Sequence, residues 1–189
     1  MQEINEALEL SRMRETTVSS ENIFDGAILH VRKDTVRLPE GHLANREVIR
    51  HIGAVCVIPV NDRLEVIMER QYRYPIDRVI WEIPAGKLDS PQEDRLSAIQ
   101  RELWEETGYT ADEWTMIGEF YGACAYTDER ISMYLARGLH AGTRHLDEDE
   151  LLDVVAVPLT ELVDMVMSGE ITDAKTQVAI LKAARLLGV

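Results

Sequence analysis

Residues 86–109 read GKLDSPQEDRLSAIQRELWEETGY, and their spacing decides how the rest of the chain is understood. The densest part is Arg101-Glu102-Leu103-Trp104-Glu105-Glu106-Thr107-Gly108. On a helix, Glu102 lies one turn from both Glu105 and Glu106, so three carboxylates share one face. Two such charges about 6 Å apart repel by roughly 3 kcal/mol at the effective dielectric of a protein surface. Cations relieve that cost, and carboxylate oxygen is a hard ligand suited to Mg²⁺ or Mn²⁺. Acidic helix faces are also common as mere solvated surface. The wider pattern separates the two readings. Gly, Glu, Arg, three further Glu and a closing Gly at fixed positions arise by chance on the order of once in a million chains at average residue frequencies.

Local chemistry specifies the helix. Ser90-Pro91-Gln92-Glu93 has the form of a capping box with proline at the first helical position, and Asp94 offers a second N-cap; the sequence leaves both open. Leu96, Ile99 and Leu103 recur at three and four residues, an apolar stripe to pack on a sheet. Gly108 is placed to end the helix.

With these residues in hand, the chain resembles the Nudix hydrolases, whose signature is G-x5-E-x7-R-E-U-x-E-E-x-G-U, U being a bulky apolar residue. Gly86, Glu93, Arg101, Glu102, Leu103, Glu105, Glu106, Gly108 and Tyr109 occupy its positions, except that six residues separate Gly86 from Glu93. The extra residue falls in the loop before the helix and leaves the acidic face in register. Upstream, Trp81-Glu82-Ile83-Pro84-Ala85-Gly86 and Gln71-Tyr72-Arg73-Tyr74-Pro75 narrow the resemblance to the ADP-ribose pyrophosphatase branch. It implies an α+β fold: an α/β/α sandwich with a mixed sheet in residues 51–189, preceded by an antiparallel, dimer-forming β extension in residues 1–50.

The resemblance also implies a site. Metal ions would be held by Glu102 and Glu106, with help from Glu105 and the backbone of Ala85, while Arg101 and Glu93 form a supporting pair. Diphosphate cleavage needs an activated water and stabilised phosphate charge, which metal ions supply. In this branch a glutamate from a late loop often takes the proton, and Leu146-Asp147-Glu148-Asp149-Glu150-Leu151 falls where that loop belongs. Glu148 is the first choice as base and Glu150 the second; Glu105 completes the catalytic candidates. Arg73, Glu82 and Arg46 are the substrate-binding candidates, Arg46 by reaching across a dimer, because a guanidinium matches phosphate geometry. One departure bears on specificity: where the branch often has Ser-Pro-Gly, this chain has Ala123-Cys124-Ala125, losing one rigid φ and one permissive one.

The remaining features set outer bounds. A length of 189 residues with 46% hydrophobic content suits one domain with a modest appendage. Thirty-four acidic against 20 basic residues give a net charge of −14, which argues against nucleic acid. The opening residues 1–17 lack a continuous apolar run, so neither a signal peptide nor a membrane span is expected, and cytoplasm is the default. Cys56 and Cys124 lack metal-ligand spacing and read as a buried or bystander pair of thiols. Strands are expected from Glu21 to Arg50 with a turn at Pro39–His42, two linked at Asn61-Asp62-Arg63, one into Pro84, and others near 113–121, 131–137 and 153–157. Helices are expected over 159–168 and 173–187, with Asp173 as N-cap and Gly188 as stop.

The expected activity is Mg²⁺-dependent hydrolysis of ADP-ribose to AMP and ribose 5-phosphate. The alternatives are a hydrolase of another nucleoside diphosphate sugar, a non-catalytic ADP-ribose-sensing Nudix domain, and isomerase chemistry requiring a reactive cysteine. Sensing domains usually lose signature glutamates, and none is lost here.

Overall fold

The computed structural model describes residues 12–146 and 151–189. These fall into two compact units, one reaching to His51 and including Ala123–Glu129, the other formed by Ile52–Gly122 and Arg130–Val189.

The first unit is an antiparallel sheet of β1 (Thr16–Asp25), β2 (His30–Arg37) and β3 (Leu43–Arg50), in that order. β1 begins at Thr16, earlier than the Glu21 expected, because Thr16-Thr17-Val18 is a β-branched run that suits a pleated strand. The turn at Pro39–His42 forms, with Leu38 N–H donating to the His42 carbonyl at 2.8 Å and Gly41 at φ 95°. The distant segment Ala123–Glu129 joins the end of β3: Ile49 N–H donates to the Tyr126 carbonyl at 2.7 Å, and Arg50 pairs with Asp128 at 3.0 Å. That segment turns without proline or glycine, the Ala123 carbonyl accepting from both Tyr126 and Thr127 at 3.1 Å. Every residue of β1 is exposed, Val18, Ile23 and Phe24 included.

The second unit holds β4 (Ala54–Pro59), β5 (Glu65–Arg73), a 3₁₀ turn (Tyr74–Ile76), β6 (Arg78–Glu82), β7 (Ala85–Lys87), α1 (Arg95–Thr107), β8 (Tyr109–Phe120), β9 (Ile131–Ala141), β10 (Leu152–Pro158), α2 (Leu159–Ser168) and α3 (Ala174–Leu187). One sheet has the order β7-β4-β9-β8 and a second β10-β5-β6. β4 and β9 run parallel while every other pair is antiparallel, so the sheet is mixed. β4 and β5, linked at Asn61–Arg63, lie in different sheets, with an isolated bridge at Val60–Val66 and side chains of both in one core.

Burial on both faces of β4 makes the sandwich. Ala54, Cys56 and Ile58 enter a core with Leu159, Leu162, Ile180 and Ala183 from α2 and α3. Val55 and Val57 enter another with Ala98, Ile99 and Leu103 from α1. The period of two along a strand sends neighbours to opposite helix layers, which explains the unbroken apolar run. Among the described residues no helix is long and apolar enough to cross a membrane.

Candidate active site

α1 starts at Asp94, the second of the two capping options. Its carboxylate accepts from Ser97 N–H at 2.9 Å, while Ser90 instead closes a turn through its carbonyl to Glu93 N–H at 3.1 Å. The turn absorbs the extra residue of the 86–93 spacing, and the Glu93 carboxylate accepts from Asp89 N–H at 2.6 Å. The expected stripe is inward: Ile99 and Leu103 are fully buried, and Leu96 packs at the edge of the same core. Gly108 caps the helix at φ 76°.

The acidic face is cross-linked by Arg101. Its Nη1 donates to Glu102 at 2.9 Å and to Glu105 at 3.1 Å, and its Nη2 reaches Glu93 at 3.4 Å, so one guanidinium gathers three signature glutamates. Glu106 is 5% exposed and accepts from Ala85 N–H at 3.1 Å. Glu102 lies directly over Gly86: a Cβ at Gly86 would come within 2.0 Å of its carboxylate. Glycine at this position makes room for that carboxylate against the strand.

These residues fit a divalent cation by donor chemistry, since Glu102 and Glu106 present hard oxygen beside the Ala85–Gly86 strand end and Glu105 adds a third carboxylate on the same helix. Among the described residues no three acidic, histidine or cysteine side chains converge as a ready-made cage.

Glu82 and Arg73 are brought together on β6 and β5. Arg73 Nε and Nη2 grip the two Glu82 oxygens at 2.5 and 2.9 Å. Lys175 Nζ bonds the same carboxylate and also Asp173, at 3.1 Å from the latter. Burial pushes the Glu82 carboxyl up, but the bonds and charges of Arg73 and Lys175 overcome it and hold the group below its usual range. Arg46 belongs to the N-terminal unit and pairs there with Glu15 of its own chain. Sequence reasoning missed Lys175. Its signal was a lysine in the first turn after the N-cap Asp173, where the helix dipole disfavours a cation, so a tertiary anion must compensate.

Glu148 and Glu150 lie outside the described residues, but the chain before them is anchored. His145 N–H donates to the Glu105 carbonyl at 2.9 Å, and its ring stacks on Trp104 with centroids 4.3 Å apart. Gly108 permits this approach, since a Cβ there would meet Arg144 N at 2.7 Å. Arg144 in turn donates to the Leu152 carbonyl at 3.1 Å. Cys56 is fully buried, and burial pushes its thiol up to about 12, which leaves it without the thiolate that cysteine catalysis needs.

Residues 50–177 match the NUDIX domain, and residues 15–49 match the nucleoside diphosphate sugar hydrolase N-terminal domain. The chain belongs to the Nudix hydrolase family. An ADP-ribose pyrophosphatase of Bacillus subtilis (strain 168) is 42% identical over 173 residues, covering 90% of this chain and 93% of the relative. A methanol dehydrogenase activator of Bacillus methanolicus is 38% identical, covering 88% and 90%. The crystal structure of an ADP compounds hydrolase shares the Nudix fold with a TM-score of 0.83 at 23% identity, covering 93% of this chain and 95% of that one.

Proposed function

We propose that this Nudix hydrolase cleaves the diphosphate of ADP-ribose to give AMP and ribose 5-phosphate. The observation that carries the reading is the seating of Glu102 over Gly86 with Glu106 fixed to Ala85 N–H, which sets the helix carboxylates against the strand end in a way a solvated acidic face does not require. Likeness to an ADP-ribose pyrophosphatase across most of both chains supports the substrate.

Glu102, Glu105 and Glu106, with the main chain at Ala85, would hold the divalent cation, Mg²⁺ or Mn²⁺, which when bound neutralises phosphate charge and acidifies water. Arg101 keeps the carboxylates ordered and fixes the Glu93 loop to the helix. Arg73, 43% exposed and held at its Nε and Nη2, presents the rest of its guanidinium to the diphosphate. Glu82, 3% exposed, acts through Arg73. Glu148, or failing it Glu150, takes the proton of the attacking water. Exposed apolar residues on β1 support a homodimer in which Arg46 serves the partner's substrate. A cytoplasmic protein is the corresponding expectation.

Incubation with ADP-ribose and a panel of nucleoside diphosphate sugars, with and without Mg²⁺, followed by product identification, tests the assignment. AMP and ribose 5-phosphate from ADP-ribose, formed only with metal, are the expected result. Faster turnover of another sugar nucleotide transfers the assignment to that substrate, and tight binding without products makes the domain a sensor.

A further inference from the structure

Glu82 is shared by two cations with unequal access to solvent. Arg73 is 43% exposed, whereas Lys175 is 13% exposed and Asp173, which also binds Lys175, is 19% exposed. Glu82 Oε2 accepts from both Arg73 Nη2 and Lys175 Nζ, while Oε1 accepts from Arg73 Nε. Lys175 stands on the first turn of α3, whereas Arg73 is the last residue of β5, the middle strand of its sheet. The next residue, Thr176, is fully buried and its hydroxyl accepts from Ile83 N–H at 3.0 Å. The start of α3 is thus clamped to the strand end that carries Glu82.

We propose that Lys175 is a positioning residue for substrate: by taking part of the Glu82 charge, it leaves Arg73 oriented by Glu82 yet incompletely neutralised toward an anionic diphosphate. A guanidinium facing one buried carboxylate alone would be matched charge for charge, and its attraction for a polyanion would fall, the more so in a chain of net charge −14. Asp173, partly exposed, and Glu106 also bear on Arg73, so without Lys175 the arginine would face more carboxylate charge than its own; Lys175, 13% exposed, supplies a second cation, and Arg73, 43% exposed, is the more open of the two. This rests on the reading of Arg73 as the diphosphate-facing arginine.

Steady-state kinetics on ADP-ribose with Mg²⁺ test it, using Arg73→Gln, Lys175→Met, Lys175→Gln and the double variant Arg73→Gln/Lys175→Met. Lys175→Met is expected to raise KM about tenfold with kcat within about twofold of the parent, and to add no further rise in KM when Arg73 is already Gln. Lys175→Gln, one atom shorter but still able to hydrogen bond, should show the same KM rise because it lacks the charge. An unchanged KM in Arg73→Gln sinks the reading of Arg73 itself. A raised KM in Arg73→Gln together with a parental KM in Lys175→Gln overturns the proposal and leaves the Arg73 reading standing. A rise in KM of the same size on both Arg73 backgrounds overturns it, as does failure of both Lys175 variants to fold, since either makes the lysine a structural prop.

Discussion

Gly86→Ala separates the site from the fold. The backbone at Gly86 has no positive φ, so alanine fits it, but the new Cβ would lie 2.0 Å from the Glu102 carboxylate. Real Cβ contacts essentially never fall below 3.0 Å, so the carboxylate must withdraw by roughly an ångström. The obstructing atoms are the far end of a flexible side chain, which makes the structural cost small, and alanine's reduced freedom in the unfolded chain offsets about 0.4–1 kcal/mol of it. A displacement of that size at Glu102, the proposed metal ligand, can lower kcat/KM about 100-fold, equivalent to about 2.7 kcal/mol of barrier. The assay is AMP release from ADP-ribose across a Mg²⁺ series, with a thermal melt on the same protein. A shortened partner, Glu102→Asp in the Gly86→Ala background, should recover part of the loss by restoring clearance. Parental kcat/KM in Gly86→Ala would refute the reasoning, and so would a loss tracking a Tm drop of more than about 8 °C, which would make Gly86 a residue of the fold.

Other residues carry separate expectations. Trp104→Ala removes the stack under His145 and should lower kcat about threefold to tenfold at unchanged Mg²⁺ dependence, given the roughly 0.5–1.5 kcal/mol of an aromatic pair; a shifted Mg²⁺ midpoint would place the defect in the carboxylates. Glu148→Gln should slow turnover by about two orders of magnitude with metal binding retained, and damage confined to Glu150→Gln would reassign the base. Arg73 and Lys175 hold the Glu82 carboxyl below its usual range in the folded protein, so its pairing stabilises the fold above the unfolded carboxylate range and is lost as pH falls through the lower folded value. Glu82→Gln should therefore flatten part of the acid limb of stability below the ordinary carboxylate range; a denaturant series at several pH values showing the parental slope would contradict it.

The helix that bears the acidic face was legible because its instructions are local: a stripe at three and four residues, an N-cap within one turn, a glycine at the end. Sequence could not choose Ser90 or Asp94, since the choice depends on how the loop from Gly86 folds back through Asp89 and Glu93. The C-terminal helices were legible for the same reason, down to Asp173 and Gly188. What failed to show was long-range. Nothing local says that the two strands flanking Asn61–Arg63 separate into different sheets, or that residues 123–129 extend β3. The Glu82–Lys175 bond joins residues 93 apart, and the cross-linking of the glutamates by Arg101 depends on rotamers that spacing does not encode.

β4 answers to two neighbourhoods at once, Val55 and Val57 to the helix of the site and Cys56 and Ile58 to the closing helices. One inserted or deleted residue there would exchange both sets in a single step, turning each toward a surface shaped for the other. Point changes can be absorbed one side at a time, whereas a frame slip leaves neither side a partner. Divergence and engineering in this chain are thereby steered toward substitution within β4 and toward length variation at its ends.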